Sequence, residues 1–191
     1  GGFSAWPEGN ETQQWLSLYA TDLMLNIHKA FKDEIPNTLL APALEFANGI
    51  NGSDISLKAY AQYIIASAQP QLVDKGEVRY LTSLVLNGQE TPTVQTLAFL
   101  ILSNDKLGYK GYVQSLYKLL QNLPNESGWS RAEYSSELKA KILRAFVVSE
   151  STTLDTAQKE TLSIRIQDVK EALTKKAWIS THEKAWLMRL F

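Results

Sequence analysis

Residues 96–103 read TLAFLILS, an alanine followed by aliphatic residues in a run that shows no strand-like alternation. The same local pattern recurs at four other places along the chain: LYATDLML (18–25), AYAQYIIASA (59–68), LKAKILRAF (138–146) and EKAWLMRLF (183–191). With the alanine of each segment as a register mark, successive segments lie 41, 37, 42 and 45 residues apart. A period of this length is typical of a repeat built from pairs of helices.

The helical period of apolar residues continues through nearly the whole chain and predicts an all-α fold. We expect nine helices: Thr12 to Lys29, Thr38 to Ala47, Asp54 to Ala68, Asp74 to Leu86, Thr91 to Leu102, Leu107 to Asn122, Arg131 to Val148, Leu154 to Leu173, and Thr181 to the end. Asn10 and Thr12 are candidate caps of the first helix, and Asn48-Gly49 is a stop signal for the second.

The nine predicted helices fall into two classes. Those that begin near residues 12, 54, 91, 131 and 181 carry the alanine pattern, and a small residue lets helices of an inner ring approach closely. The four between them mix charge with one apolar stripe, which predicts an outer layer with one solvated face. We therefore expect a single domain over residues 1–191, an α/α toroid. Since such a toroid normally closes with about six hairpins, nine helices predict an open arc, a C-terminal portion of the domain with an exposed apolar flank.

Composition excludes several functions. The 191 residues include 19 Lys and Arg against 20 Asp and Glu, so a net charge of -1 gives no basis for nucleic-acid binding. No apolar run approaches the roughly 20 residues that span a bilayer, so we expect no insertion of this segment into a membrane. The chain has no cysteine and two histidines, which argues against disulfides and metal sites. We expect no cofactor.

The ionisable residues of the sequence give little indication of a catalytic site. Asp22, Glu133 and Glu183 are the candidates for a carboxylate pair of the glycosidase kind. Asp22 lies in an apolar stretch, where an acid usually pairs with a base, and the two glutamates occupy first helical turns, where the helix dipole favours acids. His28 lies at the end of the first helix, where the same dipole favours it. His182 is expected to bond a neighbouring turn, or else to face an anion near exposed helix N–H groups.

Three tryptophans each precede a predicted inner helix: Trp6, Trp129 and Trp178. In a toroid all three approach the same rim. Two interpretations stay open: the indoles plug the entrance of the ring, or they contact a ligand.

Both ends of the chain resemble the thioester domain of bacterial members of the alpha-2-macroglobulin family. GGFSAWP with WLSLYATDLML resembles the family's GGFSxWP turn and W(V/L)TAYxxDFL helix. WISTHEKAWLMRL resembles its YLSTQExAWxLxAL helix, with His182 in place of the glutamine. The segments IPNTLLAPALEFA, AYAQYIIASA and GEVRYL match more weakly by pattern and spacing.

This resemblance implies a broad-spectrum protease trap of the bacterial envelope, a periplasmic lipoprotein. Its partners would be trapped proteases, neighbouring β-sandwich domains of the same polypeptide, and a peptidoglycan synthase. The family's Cys-x-Glu-Gln thioester is absent from this chain. Either the motif lies upstream or this member has lost it.

The resemblance also implies which residues surround the thioester face of the domain. They are Phe3, Ser4, Trp6, Trp15, Tyr19, Trp129, Trp178, Ser180 and His182. The expected function is therefore inhibition by binding, with no catalysis by this segment. The alternative is an α/α-toroid enzyme that acts on a sugar or an isoprenoid.

Overall fold

A computed structural model describes residues 2–3, 13–31, 34–52, 54–124 and 136–191. Within those ranges the chain is helical and contains no strand. The α-helices are α1 (Gln14–Ala30), α2 (Asn37–Asn48), α3 (Ile55–Ala68), α4 (Lys75–Leu86), α5 (Val94–Lys106), α6 (Lys110–Asn122), α7 (Glu137–Glu150), α8 (Thr156–Glu160), α9 (Leu162–Thr174) and α10 (Thr181–Leu190), with a 3-10 turn at Pro70–Leu72. The prediction of an all-α fold is confirmed.

Side-chain caps explain where most of these helices begin. Asp54 accepts hydrogen bonds from the backbone N–H groups of the first turn of α3, and Asp74 does the same for α4. Ser180 and Glu183 form a capping box at the start of α10. The first helix differs from the prediction because it begins at Gln14 with Gln13 as its N-cap, and no side chain caps it.

One predicted helix is divided in two. The expected helix from 154 to 173 is α8 followed by α9, with Thr161 between them. The Thr161 hydroxyl donates a 2.7 Å hydrogen bond to the carbonyl of Gln158. Such a local bond competes with the regular helical ladder, which interrupts a pattern that looks continuous in the sequence.

Three of the five helices with the alanine pattern, α3, α5 and α7, are buried along most of their length, while α1 and α10 bury only part of their residues. In α5 every residue from Val94 to Asp105 is buried. By contrast α6 buries a single stripe, Val113, Leu116, Tyr117 and Leu120, which packs on α5.

The five helices with the alanine pattern contact one another in chain order, α1 with α3, α3 with α5, α5 with α7 and α7 with α10. We call these five the inner helices. Three of the alanine register marks, Ala61, Ala98 and Ala140, are fully buried between them. Ala20 and Ala185, on the first and last inner helices, are half-buried.

Side chains of the first and last inner helices meet. A nitrogen of the Arg189 guanidinium on α10 lies 2.6 Å from a carboxylate oxygen of Asp22 on α1. An apolar groove lies between the two helices beside this contact. The six-hairpin toroid itself stays a prediction.

A buried carboxylate anchors the connection that follows α7. Asp105, at the end of α5, accepts hydrogen bonds from the hydroxyl of Ser151 and from both the backbone N–H and the hydroxyl of Thr152 and of Thr153. Burial raises the pKa of Asp105, but these donors outweigh it and leave that pKa below its ordinary value.

Candidate functional site

The beginnings of α1 and α10 lie side by side and enclose a pocket of about 350 Å³. Five of the rim residues expected from the sequence line it: Trp15, Tyr19, Trp178, Ser180 and His182. We call this the rim pocket. Leu16 and Thr181 also line it, and the sequence analysis did not select them, although both are neighbours of selected residues.

The other expected rim residues are not part of this pocket. Phe3 lies at the start of α1, where its backbone N–H donates a 2.7 Å hydrogen bond to the hydroxyl of Ser17 and its carbonyl accepts from Gln13. Its side chain does not line the pocket. Ser4, Trp6 and Trp129 lie outside the described residues, as does Glu133.

The aromatic side chains of the rim pocket differ in exposure. The indole of Trp178 is 71% exposed, while Trp15 is half-buried and its ring centre lies 5.7 Å from that of Tyr60 in the core. Tyr19 packs edge-on against the imidazole of His182, with ring centres 4.6 Å apart. Burial, followed by the nearby Asp22 carboxylate, raises the pKa of Tyr19. The pocket therefore has one solvent-exposed indole, that of Trp178, while the rings of Trp15 and Tyr19 are half-buried.

Beneath the rim pocket a buried carboxylate ties together the starts of α7 and α10. Glu183 accepts a 2.5 Å hydrogen bond from the hydroxyl of Ser136, the N-cap of α7, and further bonds from the backbone N–H and hydroxyl of Ser180. Lys176 forms an ion pair with it. Burial raises the pKa of Glu183, but Lys176 and the two serines outweigh that effect and lower it to about 2.

The centre of the inner helices is filled by a second cluster. Phe99 of α5 stacks on Tyr60 and Tyr63 of α3, with ring centres 4.3 and 5.2 Å away, and contacts Trp186 of α10 at 5.8 Å. Phe146 of α7 also packs on Trp186. These rings come from four helices and pack against one another at this centre.

Arg189 is the cation at this centre, and the sequence analysis did not select it. Its guanidinium carbon lies 4.2 Å from the ring centre of Trp186 and 4.9 Å from that of Phe146. It pairs with Asp22 and donates to the hydroxyl of Tyr63. Burial lowers the pKa of Arg189, but Asp22 together with the hydroxyl groups of Tyr63 and Tyr60 outweighs this, and the net shift is upward. One signal was available, since Arg189 and Asp22 are opposite charges in two apolar helical stretches.

Two of the three carboxylates considered for catalysis, Asp22 and Glu183, are engaged in structural contacts. Asp22 accepts from Asn26, Tyr60 and Arg189, and Glu183 belongs to the capping box. His28 donates its Nδ1 proton to the carbonyl of Ile35 across 2.9 Å, at the turn that follows α1. Within the described ranges, no three His, Asp or Glu side chains converge as metal ligands would.

Comparisons with protein families, with curated proteins and with solved structures find no match to this chain. Among the described helices, none combines the length and the apolar character that crossing a membrane requires.

Proposed function

We propose that this chain forms part of the thioester-type domain of a bacterial alpha-2-macroglobulin-like protease inhibitor and acts there as a binding module. It would work in the periplasm or cell envelope, within a protein that traps proteases. Since the chain lacks the Cys-x-Glu-Gln motif, its own contribution is non-covalent contact. A peptidoglycan synthase remains a further expected partner of the intact protein.

The observation that supports this proposal most is the meeting of the two chain segments with the most specific family resemblance. Trp15 and Tyr19 come from the first segment, and Ser180 and His182 from the last. More than 150 residues separate them in the sequence, yet they share one pocket. Sites for ligands and partners are usually concave and mainly apolar with a few polar groups, as the rim pocket is.

The chemistry of the rim pocket favours an apolar side chain as its occupant. Indole, phenol and imidazole rings form its walls, while Ser180 and Thr181 supply hydroxyl groups at one edge. An exposed Trp178 offers a large contact area with little rotamer entropy to lose. An aromatic or aliphatic residue on a neighbouring β-sandwich domain fits this description.

The enzyme alternative receives no support from the interior. An enzyme of the toroid type would need a substrate cavity between its inner helices, whereas in the described part of the chain that space holds Tyr60, Phe99, Trp186 and Arg189. Asp22 is neutralised there by Arg189. No carboxylate pair of the described residues faces a central cavity.

The test uses the intact protein that contains this chain, incubated with proteases of several classes. A trap would leave the protease active on a small chromogenic peptide but inactive on a large protein substrate. Trp178→Ala should weaken this protection, while Ile164→Ala, an exposed residue of α9, should not. Full protease activity on the protein substrate, after cleavage of the inhibitor, would refute the proposal.

A further inference from the structure

An apolar groove runs between α1 and α10, on the side of the Asp22–Arg189 contact that faces solvent. Its volume is about 260 Å³, enough for one large side chain. Leu23 of α1, Phe31 at the C-terminal end of that helix and Met188 of α10 line it, with Trp186 and Asp22 as its most buried members and Arg189 beside them. We call these residues, together with Phe191, the seam face.

The seam face exposes more apolar surface than scattered surface residues would. Leu23 is 43% exposed, Phe31 64%, Met188 83% and Phe191 70%. Together these four residues expose about 500 Å² of surface, given that a large aromatic residue has about 150–250 Å² to bury. Contiguous patches of this size are at the upper end for monomers. A stable protein interface buries about 800 Å² on each partner, so the patch supplies more than half of one.

The charges that line the groove do not oppose association of identical surfaces. Asp22 and Arg189 form an ion pair with each other, 2.6 Å apart. Among the described residues that line the groove, a second copy therefore meets no charge without a partner of opposite sign. The groove is closed beneath by side chains whose hydrogen bonds are already made within the chain.

The seam face carries a cavity and protruding side chains next to each other. Phe31 and Met188 project beside a groove that can accept a side chain of their size. An isologous dimer needs a surface that carries both parts, because each copy then supplies the projecting side chain and the groove that receives it.

We propose that the seam face binds a second copy of this chain in a symmetric dimer, in which Phe31 or Met188 of each copy enters the groove of the other. The inference does not depend on the proposed protease-trap function, because it rests on the exposed residues and the groove alone. Its failure would leave the rim pocket and the trap test unaffected.

Sedimentation velocity of the 191-residue chain over a concentration series tests the dimer. We expect a reversible monomer–dimer equilibrium with a Kd on the order of 1–100 µM, in the range of small apolar interfaces. Phe31→Ser and Met188→Ser should each raise that Kd at least tenfold. Ile164→Ser, an equally exposed apolar residue on α9, should leave it unchanged. Circular dichroism checks that all three variants fold.

A second measurement locates the interface. Because the chain has no cysteine, Lys184→Cys gives a single dye site one turn from Met188. Emission from an environment-sensitive dye there should shift to the blue as the protein concentration rises, and dye at Ile164→Cys should not shift. A monomer at every concentration overturns the proposal and assigns the groove to another macromolecule. A dimer that both seam variants leave intact overturns it as well.

Discussion

The carboxylate of Asp22 and the guanidinium of Arg189 lie 2.6 Å apart although 167 positions separate them in the sequence. Both are largely buried, and the pair joins the first inner helix to the last. Tyr60 and Asn26 complete the hydrogen bonding of the carboxylate, while Tyr63 accepts from the guanidinium. The contact between α1 and α10 is thus ionic at its centre and apolar at its surface.

Asp22→Asn should strongly destabilise the protein. The amide has the shape of the carboxylate but leaves the buried charge of Arg189 without its counter-ion. Removing one partner of a buried ion pair costs about 3–5 kcal/mol. Urea denaturation measures the free energy of unfolding. Adding Arg189→Met should recover part of the loss, since the uncompensated charge is then removed.

The exposed pair of Glu137 and Lys141 provides a matched control. It is an i,i+4 pair on the surface of α7 with a 2.9 Å separation. Glu137→Gln should change the free energy of unfolding by less than about 0.5 kcal/mol. Equal losses in Asp22→Asn and Glu137→Gln would contradict the assignment of a buried ionic centre.

The stability of the protein should fall in acid because of Glu183. Its pKa is about 2 in the folded protein against an ordinary 4.5, so the folded state favours the ionised form. The stabilisation is complete above pH 4.5 and is lost as the pH falls toward 2. A shift of this size corresponds to roughly 3 kcal/mol. Glu183→Gln should therefore flatten the dependence of Tm on pH between 5 and 2, as thermal melts over that range would record.

The aromatic residues of the core and of the rim should differ in their effect on stability. Phe99→Ala removes a ring that contacts Tyr60, Tyr63 and Trp186, and should cost about 3–5 kcal/mol. Trp178→Ala removes an indole that is 71% exposed and should change stability by about 0.5 kcal/mol or less. Denaturant titrations of both variants separate these cases. A large loss from Trp178→Ala would mean that the rim indole is structural and not a contact for partners.

Asp105→Asn should loosen the connection between α7 and α8. The carboxylate accepts from Ser151, Thr152 and Thr153, and an amide would replace one acceptor oxygen by an NH₂ group that faces donors. Unsatisfied buried groups cost about 1–3 kcal/mol each. Hydrogen exchange of the backbone amides of residues 152 and 153 should accelerate. Unchanged exchange at both amides would contradict the assignment of Asp105 as the anchor of this connection.

The helices and their two classes could be predicted from the sequence because both follow from local periodicity. Helices such as α5 are apolar on every side, and helices such as α6 carry one stripe, so a single pattern gives both the element and its layer. The caps Asp54 and Asp74 also follow from the residue types at those positions.

The pairing of distant side chains could not be predicted in the same way. Asp22 was expected to find a base nearby, but its partner lies 167 positions away, and the apolar setting of Arg189 does not by itself single it out from the other 18 lysines and arginines. The meeting of α1 and α10 could not be predicted for the same reason, since it depends on how each helix pair turns relative to the next. The rim residues were selected by their match to the family's motifs and by the expectation that the turns before inner helices share one end of the layer, and five of them line one pocket.

Most contacts among the described helices join elements that are close in the sequence, while α10 also reaches back to α1, α3 and α5. Arrays with such local contacts fold quickly from several starting points and tend to fray at both ends. Closing the loop from Asp22 to Arg189 carries the largest entropic penalty, so it is expected late in folding. Once made, it protects both terminal helices from fraying and converts a row of locally stable units into one cooperative whole.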